Sequence, residues 1–209
     1  MNINSSIDHS LKIIVLGDSG VGKTNFIHRY ANGYFTTTHT TTIGIDCKSK
    51  ICTLPNSKKK VKVNLWDTAG QERYMSINKL FFQRVQGIIL MYDITSRKSY
   101  EQLSKWVKII KNETCKTPVI LVGNKYDQEE EKRIVRETEG SQFAKDNGFL
   151  FRETSAFTGY HINNVIYDLC EKIVKLLEFQ CNSMTLTEIE YFGVDKVNMK
   201  GEQSGSKCC

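Results

Sequence analysis

Short, bulky apolar runs at residues 11–16, 61–66, 87–92 and 119–123 alternate with stretches whose apolar residues fall at helical spacing. Such runs fit strands covered on both faces better than half-wet strands, which would alternate strictly. A weaker fifth run covers 149–152. Leu103, Trp106, Val107 and Ile110 share one helical face, as do Ile162, Val165, Ile166, Leu169, Ile173 and Leu176. Residues 45–54, then Pro55-Asn56-Ser57, then 61–66 read as two strands joined by a turn. The alternation predicts a mainly parallel α/β sheet with helices on both faces. Ligands on such sheets bind beyond the carboxyl ends of the strands. No repeat is evident. Past about residue 179 the periodicity stops, and a flexible tether fits residues 184–192 better than one frayed helical turn.

Composition changes this picture little. With 209 residues, 40% apolar and a quarter charged, the chain suits one ordinary domain plus a tail. The formal charge of +6 invites a nucleic-acid partner, but its distribution does not. From Glu178 onward there are three Lys (196, 200, 207) against five acids (178, 188, 190, 195, 202). The excess is therefore in the folded part, where Lys58-Lys59-Lys60 is the one short basic run. A solvated hairpin turn explains that run better than a phosphate-backbone patch, and no nucleic-acid partner is expected. The first apolar run is too short for a signal peptide or a membrane span. Seven cysteines without CxxC spacing suit reduced thiols, with Cys47, Cys52, Cys115, Cys170 and Cys181 as small hydrophobes.

The chemistry lies just after the apolar runs. Gly17-Asp18-Ser19-Gly20-Val21-Gly22-Lys23-Thr24 follows a strand-like run and opens a helix-like one, the context in which GxxxxGK[ST] carries meaning. Its glycines let backbone N–H groups converge on phosphates at a helix N-terminus. Lys23 would reach the β- and γ-phosphates, and the Thr24 hydroxyl would ligate Mg²⁺. Alone, this loop specifies a nucleoside triphosphate and no base.

Asn124-Lys125-Tyr126-Asp127 follows the run 119–123. A carboxylate there accepts from the guanine ring N–H and exocyclic amine together, whereas adenine offers the wrong donors. Leaving a buried carboxylate unpaired can cost a factor of about ten thousand in selectivity. Asp67-Thr68-Ala69-Gly70-Gln71 ends the run 61–66. Asp67 would hold Mg²⁺ through a water, the Gly70 N–H would meet the γ-phosphate, and Gln71 would orient the attacking water. Among Thr40-Thr41-Thr42, one hydroxyl can see the metal when the third phosphate is present.

These four motifs, in this order and spacing, resemble the Ras-like small GTPases. Residues 66–73 (WDTAGQER), Ile43-Gly44-Ile45-Asp46, Met91-Tyr92-Asp93-Ile94-Thr95 and the final Cys208-Cys209 make the chain similar to a Rab. The resemblance covers about residues 11–177 and the extreme C-terminus. It implies a P-loop NTPase fold, a Ras-like G domain with a six-stranded, mainly parallel sheet and one antiparallel strand. Residues 1–10 would be a flexible N-terminus, 11–180 the GTP-binding domain and 181–209 a flexible tail. Matched residue by residue, the metal-sensing threonine is Thr42 and the ring flanking guanine is Phe35. Ser155-Ala156-Phe157 matches the loop whose Ala N–H meets the guanine carbonyl, and Asn25 joins the nucleotide-binding set. Three positions depart from the family. Phe157 stands where Lys is usual, Cys47 where most Rabs carry Phe, and Phe81-Phe82-Gln83-Arg84-Val85 where Tyr-Tyr-Arg-Gly-Ala is usual. Ser19 puts a side chain where Rabs commonly tolerate one.

The family implies GTP and GDP as ligands, Mg²⁺ as cofactor, and slow hydrolysis. For Ras, unaided turnover is of order 10⁻⁴ per second, raised about a hundred-thousandfold by a partner's arginine. No arginine in this chain is assignable to that role, so an activating protein in trans is expected. An exchange factor, effectors at the switch regions, and escort and dissociation-inhibitor proteins are expected beside it. Residues 35–46 and 70–81 would be the segments that the γ-phosphate orders. Cys208 and Cys209 match the family's double prenylation site. Two lipid chains anchor stably where one does not, and the near-neutral tail adds no polybasic help. The expected location is the cytoplasmic face of an intracellular or plasma membrane, with a cytosolic pool, and the expected role vesicle traffic. A nucleotide-binding adaptor that does not cycle is the competing reading, opposed by Thr24, Thr42 and Gln71. A P-loop kinase or ATPase is opposed by Asn124 and Asp127.

Overall fold

The computed structural model describes residues 6–36, 45–68, 79–114 and 116–183. Six strands form one sheet: β1 (His9–Leu16), β2 (Ile45–Thr53), β3 (Lys60–Thr68), β4 (Gly87–Asp93), β5 (Val119–Asn124) and β6 (Leu150–Thr154). Their spatial order is β2-β3-β1-β4-β5-β6. Only β2 runs antiparallel to its neighbour, pairing from Ile45↔Thr68 to Thr53↔Lys60; the other neighbours are parallel. The helices are α1 (Lys23–Asn32), α2 (Lys79–Phe82), α3 (Arg97–Glu101), α4 (Leu103–Glu113), α5 (Glu129–Lys132), α6 (Glu137–Asn147) and α7 (Ile162–Ser183).

Every residue of β4 and β5 is buried, as bulky runs without alternation require. On one face Ile14, Leu16, Ile88, Leu90, Tyr92 and Leu121 pack with Leu103, Trp106, Val107 and Ile110 of α4 and Ala144 of α6. On the other face a Cβ at Gly87 would lie 2.7 Å from Ile173 Cδ1 and 3.2 Å from Leu169 Cδ2. Helix α7 thus rests directly on β4, and the absence of a side chain is what admits it. The described residues up to Val174 form one compact unit; α7 runs on to Ser183, and its Leu176 and Phe179 are exposed.

The β2–β3 turn contains the basic run. Lys58 adopts φ +57°, its N–H donates to Leu54 O, and Leu54 N–H donates to Lys59 O. The N–H groups of Asn56 and Ser57 donate to Glu171 Oε1 on α7 at 2.8 and 3.0 Å. Strand β1 begins at His9, before the apolar run itself, and Lys60 N–H donates to Asp8 Oδ2 at 2.7 Å. Burial sorts the cysteines differently from the sequence reading. Cys170 is buried, Cys52 is partly buried, and Cys47 and Cys181 are exposed. Cys47 faces out on the edge strand β2, where the alternate positions Ser49 and Ile51 are exposed as well.

The chain leaves β1 in both directions, through β3 to β2 and through β4 and β5 to β6. The crevice beyond the carboxyl end of β1 is therefore the topological switch point, where such sheets bind ligands. Gly17 is the first residue past that end.

Candidate nucleotide-binding site

The glycine-rich loop is shaped by three positive-φ glycines, Gly17 (+136°), Gly20 (+79°) and Gly22 (+99°). Two of them are also sterically required. A Cβ on Gly17 would sit 2.2 Å from Met91 O on β4, and one on Gly22 would sit 2.3 Å from Asn124 Nδ2. Helix α1 starts directly after Gly22, so its first backbone N–H groups and positive dipole end face the loop. Lys23 is only 6% exposed, and its ammonium donates to Gly17 O at 2.6 Å and Asp18 O at 2.8 Å. The charge is held inside the concave loop.

Strands β3, β4 and β5 each deliver a polar residue at their carboxyl ends: Asp67, Asp93 and Asn124. Asn124 is 2% exposed, and its amide bridges three segments. Nδ2 donates to Val21 O in the glycine-rich loop at 2.8 Å. Oδ1 accepts from Ala156 N–H at 3.1 Å and from the Thr154 hydroxyl at 3.2 Å. Lys125, at φ +72°, pairs with Asp93 Oδ2 at 2.6 Å. Asp127 Oδ1 accepts from the Ser155 hydroxyl at 2.5 Å, which fixes the carboxylate beside the 155–157 loop. Phe35 and Phe157 meet edge to face, with ring centroids 5.2 Å apart and planes at 87°.

Thr24 donates its hydroxyl to Asp67 Oδ2 at 2.6 Å. Asp67 is 2% exposed, and its Oδ1 has no hydrogen-bond partner among the described residues. Burial pushes this carboxyl up; the Thr24 hydrogen bond and the Lys23 charge oppose the shift. An orphaned, desolvated carboxylate oxygen next to a threonine hydroxyl is an oxygen donor set that fits a hard divalent cation. No cluster of three or more His, Cys, Asp or Glu exists among the described residues. Magnesium needs none, because it keeps several waters and shares its ligands with substrate phosphates.

The sequence-derived residues thus fall into one crevice: Gly17 to Asn25 at one end of it, and Asn124, Lys125, Asp127, Ser155, Ala156, Phe157 and Phe35 at the other. Thr42, Gly70, Gln71, Cys208 and Cys209 lie outside the described residues. Asn25 holds the backbone next to Phe35, through Nδ2 to Thr36 O and Thr36 N–H to Oδ1. Two side chains escaped sequence reasoning. Arg29 donates to the carbonyls of Ala156, Gly33 and Phe157, pinning the end of α1 to the 155–157 loop. Trp106 Nε1 donates to Asp18 Oδ1 at 2.9 Å. Apart from Gly33, four residues on, the partners of Arg29 lie 127 and 128 residues away, and that of Trp106 lies 88 away. Near the start of β4, Lys12 lies over the Trp66 and Phe81 rings and donates to Phe81 O and Gln83 O, which fastens the departing 81–85 segment to β1.

Residues 12–175 match the Ras family. Among curated proteins, the chain is 36% identical to Ras-related protein Rab-10 of Caenorhabditis elegans over 203 residues, covering 97% of each chain. It is 38% identical to Ras-related protein Rab-15 of Rattus norvegicus over 212 residues, again with 97% of each covered. Against Ras-related protein Rab-13 of Mesocricetus auratus the identity is 40% over 168 residues, 80% of this chain and 81% of the other.

Proposed function

Because the chain belongs to the Ras family, within the Rab small GTPases, we propose that it is a membrane-anchored switch whose GTP form recruits effectors in vesicle traffic. It is a GTPase that binds GTP and GDP. One observation carries the reading of its site: the Asn124 amide ties the phosphate loop at Val21 to the base loop at Ala156. Phosphate and base recognition are thereby set at a fixed separation.

In this reading, N–H groups of Ser19 through Thr24 cradle the phosphates, with Lys23 moving its charge from the loop carbonyls to the β- and γ-oxygens. Asp127 takes the guanine ring N–H and amine, the Ala156 N–H is shared between Asn124 Oδ1 and the guanine carbonyl, and Lys125 and Phe35 flank the ring. Thr24 and Asp67 would hold Mg²⁺, which would neutralise charge building on the phosphates. Gln71 positions the water in line with the γ-phosphorus, while Thr42 and Gly70 sense the γ-phosphate. Lys23 and Asp67 are buried, which strengthens the contacts these two charges make. Hydrolysis is slow in this reading because no arginine of this chain is assigned to the transition-state charge, so an activating protein in trans completes the site. An exchange factor, and escort and dissociation-inhibitor proteins that shield the lipids, would serve the rest of the cycle.

No helix among the described residues is long and apolar enough to cross a membrane. Membrane attachment is proposed through prenyl groups on Cys208 and Cys209, at the cytoplasmic face of an intracellular or plasma membrane. Amide exchange tests the switch: residues 35–46 and 70–81 should be better protected with a non-hydrolysable GTP analogue than with GDP. Equal protection in both forms would refute it. For the anchor, the double variant Cys208→Ser, Cys209→Ser should leave the membrane pellet for the supernatant; retention in the pellet would show another attachment.

A further inference from the structure

Phe157 is 54% exposed, a large aromatic facing water at the lip of the site. Neither its burial nor the core explains it. Its ring stands edge-on to Phe35, with centroids 5.2 Å apart. The backbones that carry the two rings are fastened together: Arg29 donates to Gly33 O at 2.7 Å, to Ala156 O at 2.9 Å, and to Phe157 O. On one side of this corner lies Ala156, whose N–H is directed by Asn124; on the other lies Asp127, oriented by the Ser155 hydroxyl. The apolar corner therefore borders the two groups that would read a purine's edge. The same loop is braced from its far end, where Tyr160 stacks on Tyr126 at 4.8 Å and on His161 at 3.7 Å.

We propose that Phe157 is a nucleotide-retention residue: its ring holds Phe35 edge-on against the base loop, so that the pair closes over the base and slows its release. The proposal deepens the guanine-nucleotide reading and rests on it. Edge-to-face pairing gives direction as well as area. The positive rim of one ring meets the negative face of the other, and the pair is worth more than its buried surface alone. With the rings coupled this way, opening the base pocket requires breaking the pair as well as the base contacts. A lysine at 157 would be a flexible cation and could not fix the Phe35 ring by this geometry. Phe157 acts through Phe35 and is a positioning residue.

The test uses the purified full chain loaded with N-methylanthraniloyl-GDP in Mg²⁺ and chased with excess GDP. Phe157→Ala should release the probe about threefold to tenfold faster than wild type, the range an edge-to-face pair supports. Phe157→Leu, which keeps apolar bulk and tolerates any packing demand, should also release faster, while Phe157→Tyr should stay near the wild-type rate. The rates of Phe35→Ala and of the double variant Phe35→Ala, Phe157→Ala should be nearly equal, because the second change removes a partner already lost. A wild-type rate in Phe157→Ala or Phe157→Leu overturns the proposal, as does a double variant whose acceleration is the product of the singles. A wild-type chain that fails to retain the probe, or holds the adenine analogue equally well, would instead defeat the guanine reading itself.

Discussion

At the scale of single residues, the site is a set of side chains whose partners are elsewhere in the sequence. Asn124 has three hydrogen bonds and almost no exposure. Asn124→Ala leaves Val21 O and Ala156 N–H unsatisfied in a dry interior, which costs about 2–3 kcal/mol. In a chain of this size that lowers the melting temperature by several degrees, and GDP should bind more weakly as the two loops lose their fixed separation. Thermal melts with and without GDP check both. Asp127→Asn replaces an acceptor with an amide that can donate. Affinity for GDP should fall about a thousandfold or more, while the xanthine analogue, which has a carbonyl where guanine has its amine, should gain. Competition binding measures the exchange; unchanged guanine preference would remove Asp127 from base recognition. The motif residues were legible in sequence because each string carries its chemistry locally: glycines that need positive φ, a lysine and a threonine opening a helix, an acid after a strand. Arg29 was not legible. It is an ordinary basic residue in α1, and its meaning comes only from three carbonyls that the fold brings to it.

At the scale of elements, the apolar runs located the strands and stopped short at their ends. β3, β4 and β5 extend beyond the apolar runs to Asp67, Asp93 and Asn124. Polarity ended each pattern just where the backbone ladder continued, and those polar ends are the site. Helix α6 was illegible for another reason. Its sequence, ETEGSQFAKDN, puts a glycine in the middle and offers few apolar residues. The structure explains the glycine: a Cβ on Gly140 would lie 2.3 Å from the buried Tyr92 hydroxyl and 2.8 Å from the Phe151 ring. Gly140→Ala should therefore lower the melting temperature, although helix propensity alone favours alanine by about 1 kcal/mol. A higher melting temperature would mean that those rings yield easily. At the start of α6, Glu139 accepts from both Arg97 Nη groups and from Arg136 N–H. The Arg97 hydrogen bond first, and the Arg136 N–H second, hold its carboxyl well below the usual range, at about 2. A depressed acid stabilises the fold above its unfolded value of 4.5 and loses that contribution as the pH falls toward 2. Glu139→Gln should melt below wild type at neutral pH, and the gap should close across that window. A gap that stays constant down to the lowest pH would assign its origin to something other than the charge.

At the scale of the whole molecule, a sheet that changes winding direction at β1 gathers three strand ends and the start of α1 into one crevice. The overall architecture was legible in sequence because alternating strand-like and helix-like periods permit few arrangements with short connections. The identity of the ligand came from the spacing of motifs, and no composition value would have supplied it. The excess positive charge took no part in that inference. This crevice is expected to retain a guanine nucleotide and cleave its γ-phosphate. Single-turnover hydrolysis tests it most directly: the purified chain is loaded with GTP, challenged with excess ATP, and followed for phosphate release with Mg²⁺ and with a chelator. ATP should neither displace the nucleotide nor slow cleavage, and GTP should turn over slowly, of order 10⁻⁴ per second as in Ras, in a Mg²⁺-dependent way. Displacement by ATP, or GTP held intact indefinitely with Mg²⁺ and an activating protein present, would contradict it.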